Sequence, residues 1–414
     1  MLLEFSIENY RSFRDRQTLS LLAGDDPAHP ASGLLQGPES MQILPSAIIY
    51  GANASGKSNL LRAFQGLRNW LAVHSDLGPD QLIPAAEPFK FQTDLRAQAS
   101  SFEVYFLAAQ TRYRYLLRVS PETVEYEALF FYPQGREARL FERHGSSYEF
   151  GDYLKGQKSA IASLTAPNQS YLSKAARNNF QQLLPVYRFF SVGLMPVSFL
   201  DSYMDQAYLS KITAELAKST AQDPFADTFK RLLRSFDTGI TDFSITQQPL
   251  RQEHEVVMYH PLYHPDGTLA GTAGHPLGEE SAGTQKLFVL GALMLRALMQ
   301  GRTILVDEFE RSLHPLISAY LIRLFHSPRI NTRQAQLILA THDSHLLSEE
   351  GFRRDQIWMT EKDLQGASSL FALSDISGIR TSAPLEKWYL SGRLGAIPGI
   401  EQINFELSYP HEAR

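Results

Sequence analysis

Apolar and polar residues alternate at the start of the chain, where Leu3, Phe5 and Ile7 of "LLEFSIENYRSF" fall on one face of a half-buried strand. The stretch "GDDPAHPASGLLQGPES" is rich in Gly, Pro, Asp and Ser and reads as a surface loop. A β-branched run at Ile48 and Ile49 then breaks into a glycine-bounded loop, and a helix-forming stretch begins at Lys57. Residues 46–70 therefore predict strand, loop and helix. From Phe89 to Phe150 the segments "SFEVYFLAAQTRYRYLLRVS", "TVEYEALFFYP" and "ARLFERHGSSYEF" are β-rich and separated by turn signals, as in an antiparallel meander. Residues 152–237 turn helical, with apolar positions at three- and four-residue spacing. A second β region surrounds "YHPDGTLAG", where Pro265-Asp266-Gly267 predicts a hairpin-like turn.

From Gly278 onward the pattern is helix, strand, helix, strand: "AGTQKLFVLGALMLRALM", "TILVDE", "SLHPLISAYLIRLFHS" and "AQLILATHD". Short continuous apolar runs bounded by polar turns are what a parallel sheet covered on both faces produces. The α/β material lies at both ends of the chain. The expected organisation is a head built from residues 1–90 and 270–400, an inserted β-meander and helical subdomain at 91–269, and a tail at 401–414.

Composition narrows the class. The 414 residues are 43% hydrophobic and 20% charged, enough apolar content for a real core. The chain has no cysteine, which excludes disulfides, thiolate zinc sites and cysteine nucleophiles and fits a reducing cytoplasm. No run approaches the roughly 18 consecutive apolar residues of a membrane span, and the charged first residues lack a basic-then-apolar leader. The net charge of −5 means that any nucleic-acid contact would need a local basic patch.

The sharpest chemistry is Gly51-Ala-Asn-Ala-Ser-Gly56-Lys57-Ser58, a G-x-x-x-x-G-K-[ST] phosphate loop between a strand and a helix. Glycines let successive N–H groups turn inward at phosphate oxygens, and the helix start adds its positive dipole end. Lys57 is expected on the β- and γ-phosphates of ATP, and the Ser58 hydroxyl on Mg²⁺. Asn53, Ala54, Ser55 and Asn59 complete the candidate nucleotide-binding set. In "TILVDEFERSLHP" an apolar run ends in Asp307 and Glu308 at a strand's carboxyl end, the edge where open α/β sheets bind ligands. Asp307 suits the magnesium shell and Glu308 suits activation of a water; alone, the pair also reads as two solvated acids. His342, after the strand in "LILATHDSHLL", is a candidate γ-phosphate sensor given the two preceding motifs. In "GEESAGTQKLF", Ser281 and the N–H groups of the next helix form an anion site or simply an N-cap.

Together, "FSIENYRSF", the phosphate loop, "ESAGTQK", "ILVDEFERSLHP", "LATHDSHLL" and the near-terminal "EKWYLSGRLGAIPGI" resemble the stand-alone ABC-type, RecF/SMC-like AAA ATPases grouped with RloA and the OLD-family ATPase domains. The resemblance covers about residues 1–95 and 270–400. It implies an α/β fold, an ABC/SMC-type P-loop ATPase head, here with an inserted β-rich lobe and helical region too short for a coiled-coil arm. It further implies a homodimer or higher homo-oligomer that sandwiches ATP and Mg²⁺. Ser281 and Gly283 would contact the partner's γ-phosphate, Arg11 would lie near the phosphates of its own head, Glu308 would be the base and His342 the switch histidine. The signature turn departs from the fuller Leu-Ser-Gly-Gly form, and "EPFKF" occupies the likely neighbourhood of a Q-loop whose glutamine has no clear counterpart.

The function expected from this resemblance is an ATP-driven dimerisation switch that controls a separate nuclease or toxin in bacterial defence. The alternative is a RecF-like DNA-binding ATPase of repair, for which the basic clusters at Arg136–Arg143, Lys174–Arg188 and Lys230–Arg234 offer phosphate contacts. No acidic cluster suggests that the chain cuts nucleic acid itself. His254, His260, His264 and His275 lack the carboxylate spacing of a metal site.

Overall fold

The computed structural model describes residues 1–25, 33–78, 80–197, 202–218, 224–236, 238–247, 254–348, 352–379 and 383–398. Part of the loop expected at 24–40, the end of "EKWYLSGRLGAIPGI" and the tail at 401–414 lie outside those residues.

In chain order the first elements are β1 (Leu2–Glu8) and β2 (Gln17–Ser20), the short ribbon β3 (Leu35–Gln36) and β4 (Gln42–Ile43), then β5 (Ser46–Gly51) and α1 (Lys57–Ala72). The meander follows as β6 (Ser100–Ala108), β7 (Thr111–Val119), β8 (Val124–Phe131), β9 (Ala138–His144) and β10 (Ser147–Phe150). These strands extend the sheet begun by β1 and β2, giving a seven-stranded antiparallel order β10-β9-β8-β7-β6-β1-β2. β1 is the hinge of that order, pairing with β2 on one edge and β6 on the other.

The helical region contains α2 (Lys158–Ser163), α3 (Tyr171–Arg177) and α4 (Leu184–Arg188), then the strand β11 (Leu194–Val197), then α5 (Ser202–Ala217) and α6 (Pro224–Arg234). β12 (Asp242–Gln247), β13 (His254–Tyr263) and β14 (Leu269–Pro276) form a three-stranded antiparallel sheet. Its β13–β14 connection turns where the sequence places Pro265-Asp266-Gly267: Gly267 adopts φ +83°, and the Thr268 N–H donates to Asp266 Oδ1 at 2.9 Å. The chain closes with α7 (Ala282–Gln300), β15 (Thr303–Val306), α8 (Pro315–His326), β16 (Gln336–Ala340), β17 (Ile357–Lys362), β18 (Ser368–Ala372) and α9 (Leu385–Leu390).

The second large sheet runs β11-β15-β16-β5-β17-β18, with its first five strands parallel and β18 antiparallel at the edge. Every residue of β5, β15 and β16 is buried, which is why these strands read as unbroken apolar runs rather than alternating ones. Alternation is still present, but between two cores. Ile49, Leu305, Ile338 and Trp358 join the core shared with α1 and the antiparallel sheet; Ile48, Ile304, Val306, Leu337, Leu339 and Met359 join the core under α5 to α8. α1 buries Leu60, Leu61, Ala63, Phe64, Leu67, Trp70 and Leu71, and Phe64 stacks on Phe5 of β1 at 3.7 Å between ring centroids. Gln336 ties the two sheets together by accepting from the Leu2 N–H at 2.7 Å and donating to the Leu2 carbonyl at 2.9 Å.

Among the described residues, α7 is long and apolar enough by composition to cross a membrane, but most of it is buried against α5, α6, α8 and β15. Its apolar surface serves the core. It ends at Gly301, which caps the helix in the left-handed conformation at φ +65°.

Candidate functional site

β5, β16 and β15 lie side by side with their carboxyl ends together. β16 separates the other two, so the phosphate loop after β5 and the acids after β15 flank the Thr341–His342 turn.

The loop itself is built by its two glycines. Gly51 and Gly56 adopt φ +156° and +126°, and Ala54 at the tip also has positive φ, +62°. Asn53 and Ala54 are exposed; Ser55 is buried, with its hydroxyl turned away from the mouth onto Thr360 of β17. Lys57 is buried, and its ammonium donates to the carbonyls of Gly51 at 2.7 Å and Ala52 at 3.0 Å. Burial pushes the Lys57 pKa down to about 8, against the opposing pull of Asp307, Glu310 and Glu308. A desolvated cation resting on two neutral carbonyls is poised to exchange them for anionic oxygens.

Ser58 and Asp307 line one cleft, together with Leu61, Arg62 and Gln65 of α1. A hydroxyl and a carboxylate lining one cleft are the donor types that an oxygen-preferring Mg²⁺ takes. Asp307 is buried and fixed from below, since its N–H donates to the Val197 carbonyl of β11 at 3.2 Å. Glu308 follows in left-handed backbone at φ +49°, with its N–H on Asp307 Oδ1 at 3.2 Å. This sharp turn sends the Glu308 side chain outward, half-exposed and 3.6 Å from Arg311. His342 is exposed, and its pKa lies below the usual histidine range through partial burial first and the nearby Lys57 ammonium second.

The glycine loop, Asp307, Glu308 and His342 are thus brought to one edge. The signature turn is placed beside the acidic loop. Ser281 caps α7 by accepting from the Thr284 N–H at 3.1 Å, as the N-cap alternative expects, and its hydroxyl is exposed. Gly283 sits so close to the loop after β15 that an added Cβ would meet the Ser312 carbonyl at 2.6 Å. Lys286, one turn later, donates to the Glu308 carbonyl at 2.8 Å. The signature turn and the Glu308 turn are therefore mechanically joined.

Arg11 is on the β1–β2 turn, in left-handed backbone at φ +52°, and its guanidinium pairs with Glu87 at 2.7 Å. Glu87 belongs to "EPFKF", so this segment supplies an acid to Arg11 rather than a glutamine. The next residue, Ser12, accepts from Asn59 Nδ2 at 2.8 Å, which anchors the Arg11 turn to the first turn of α1.

Three positions escaped the sequence analysis. Glu310 receives the Thr341 hydroxyl at 2.7 Å and the His342 N–H at 2.8 Å, holding the histidine turn to the acidic loop. Thr360 and Ser368 support the phosphate loop from beneath. The repeated acids of "DEFER" were a signal for Glu310; nothing local marks the two hydroxyls.

Many of the cations considered for nucleic acid already have acidic partners. Arg143 is buried beside Glu127, Arg139 pairs with Glu142 and Glu149, Arg177 with Asp76, and Lys230 with Asp242. His260 of β13 pairs with Glu280 and His275 of β14 with Glu279, and no group of three or more His, Asp or Glu placed to hold a metal occurs among the described residues.

The family described as "AAA domain, putative AbiEii toxin, Type IV TA system" matches residues 46–348. No curated protein matches the chain. Solved structures with similarity include an SMC head domain from Thermotoga maritima, at 14% identity and TM-score 0.43 over 90% of this chain and 98% of that one. Another is an SmcHead bound to the C-winged helix domain of ScpA, at 13% identity and TM-score 0.40 over 90% and 97%.

Proposed function

The chain belongs to this AAA-domain family, and from that premise we propose that it is a P-loop ATPase of the ABC/SMC-like type that hydrolyses ATP with Mg²⁺ to drive a dimerisation switch. The observation that carries the proposal is the convergence of Lys57, Ser58, Asp307, Glu308 and His342 at the carboxyl edge shared by β5, β16 and β15. In it the loop amides and Lys57 hold the β- and γ-phosphates, and Arg11 lies beside them. Ser58 and Asp307 would hold Mg²⁺, which would supply charge neutralisation on the phosphates. Glu308 takes the proton of the attacking water and His342 contacts the γ-phosphate.

The switch follows from the signature turn. Ser281 is exposed and Gly283 half-buried against the loop that carries Glu308, and a second copy's bound nucleotide is the ligand assigned to them. Because Lys286 and Gly283 hold that turn to the Glu308 loop, closure on a partner would set the position of the base. In this reading the switch controls a separate nuclease or toxin in bacterial defence; the family description, which names a putative AbiEii toxin and a Type IV TA system, links the family to toxin–antitoxin systems. The repair alternative is weaker here, because so many of its candidate DNA-binding cations are engaged within the fold.

Glu308→Gln tests the proposal. It keeps the side chain's size but removes the base, so phosphate release should fall by at least about 100-fold while ATP binding persists. The variant should then accumulate as an ATP-loaded dimer by size-exclusion chromatography with light scattering. A wild-type chain that binds ATP but releases no phosphate at any Mg²⁺ concentration would overturn the hydrolase.

A further inference from the structure

Both fixed glycines of the phosphate loop press against the β17–β18 hairpin. A Cβ on Gly51 would strike Thr360, reaching its carbonyl at 2.5 Å; a Cβ on Gly56 would reach the Ser368 hydroxyl at 2.5 Å. The loop therefore lies flush on a surface made by two hydroxyl side chains, and both are buried.

Counting protons orders the bonds. A hydroxyl has one hydrogen to give. Thr360 Oγ1 lies 3.1 Å from the Tyr50 carbonyl, which can only accept, so its proton goes there; the Ser55 hydroxyl then donates to Thr360 at 2.6 Å. Ser368 Oγ donates towards the Ser55 carbonyl at 2.6 Å and towards the Ser12 hydroxyl at 2.8 Å, its one proton shared between the two. Ser12 in turn accepts from Asn59 Nδ2. Two networks result, one running from Ser55 to Thr360 to Tyr50 and one in which Ser368 joins the Ser55 carbonyl to Ser12, itself held by Asn59. They clamp the loop at its entry from β5, at its middle and at its exit into α1. Thr360, Ser368 and Ser12 all lie outside the family-matched residues 46–348.

We infer that Thr360 and Ser368 are positioning residues of the nucleotide site, holding the phosphate loop in the shape that receives a nucleoside triphosphate before it arrives. The inference rests on the nucleotide-binding part of the function proposed above. Its energetic basis is preorganisation: without the clamp, binding must also order the loop. One lost hydrogen bond of this kind weakens binding about three- to tenfold.

The test uses the full chain and a fluorescent ATP analogue with Mg²⁺. Thr360→Val and Ser368→Ala should each raise the dissociation constant about three- to tenfold, with Thr360→Ser restoring affinity to near wild type. Thr303→Val supplies the control for lost stability. Thr303 is a buried threonine of the same sheet whose hydroxyl donates to Gln336 at 3.0 Å, at the far end from the loop. It should lower the unfolding midpoint of the free protein while leaving affinity unchanged. Unchanged affinity in both Thr360→Val and Ser368→Ala, or equal weakening in Thr303→Val, overturns the inference. A wild-type chain that binds no analogue refutes the nucleotide site itself, a separate outcome.

Discussion

At the scale of single residues, Lys57 gives the site a pH dependence whose sign follows from its surroundings. Its pKa in the free protein is about 8, mainly because burial disfavours the charged form. Triphosphate binding needs the ammonium and would hold its proton to higher pH. Affinity should therefore be level below about pH 8 and fall above it, approaching about tenfold per pH unit. Stability of the nucleotide-free chain moves oppositely. Between about 8 and the ordinary 10.5 the unfolded chain holds the proton more readily, so folding sheds the cost of a buried charge as pH rises. Titrations of the ATP analogue from about pH 7 to about pH 9 check this; a flat affinity across that range would show that Lys57 does not supply the charge. The motif residues were legible in sequence because phosphate chemistry dictates their types and spacing. Glu310 was marked only by the repeated acids of "DEFER", and Thr360 and Ser368 by nothing local, because acids and hydroxyls are common. Their roles exist only once β16, β17 and β18 arrive; Ser55 and Thr360 are 305 positions apart.

At the scale of elements, the meander shows what pattern reveals and what it omits. Turn signals marked β6 to β10, but the edge they extend, β1, is set by pairing across about a hundred residues and leaves no local trace. The junction of this sheet with the helical region depends on Glu127 of β8, fully buried. Its carboxylate accepts from the Tyr115 hydroxyl at 2.8 Å, the Ser170 hydroxyl at 2.9 Å and the N–H groups of Tyr171 at 2.7 Å and Leu172 at 3.0 Å. Arg143, equally buried, lies 3.6 Å away. Glu127→Ala would leave that guanidinium without its counter-charge and expose the first turn of α3 to an empty space. The expected loss is about 3–5 kcal/mol of stability, read as a lowered midpoint in chemical denaturation. Glu127→Gln keeps part of the hydrogen bonding and should cost less. A midpoint for Glu127→Ala equal to wild type would mean that the sheet and α3 are held together elsewhere.

At the scale of the whole molecule, the parallel sheet divides the chain into two cores, and the parts of the proposed ATP sandwich come from both. α1, which follows the phosphate loop, packs in one; α7, which follows the signature turn, packs in the other. An alternating pattern along β5, β15 and β16 would have announced this division, but burial on both faces erased it from the sequence. If two copies close with two-fold symmetry, each phosphate loop meets the partner's signature turn. Lys57→Ala and Ser281→Arg, placed in separate chains, distinguish that arrangement from a site complete within one chain. Each variant alone lacks every intact composite site: the first has no phosphate-binding cation, and the second blocks the partner's γ-phosphate with a bulky side chain. Mixed together, they form some dimers containing one sound site, made from the phosphate loop of the Ser281→Arg chain and the signature turn of the Lys57→Ala chain. Phosphate release should therefore reappear on mixing and rise with the share of mixed dimers. Two inactive proteins that stay inactive at every ratio, although cross-linking shows that mixed dimers have formed, would rule out shared sites.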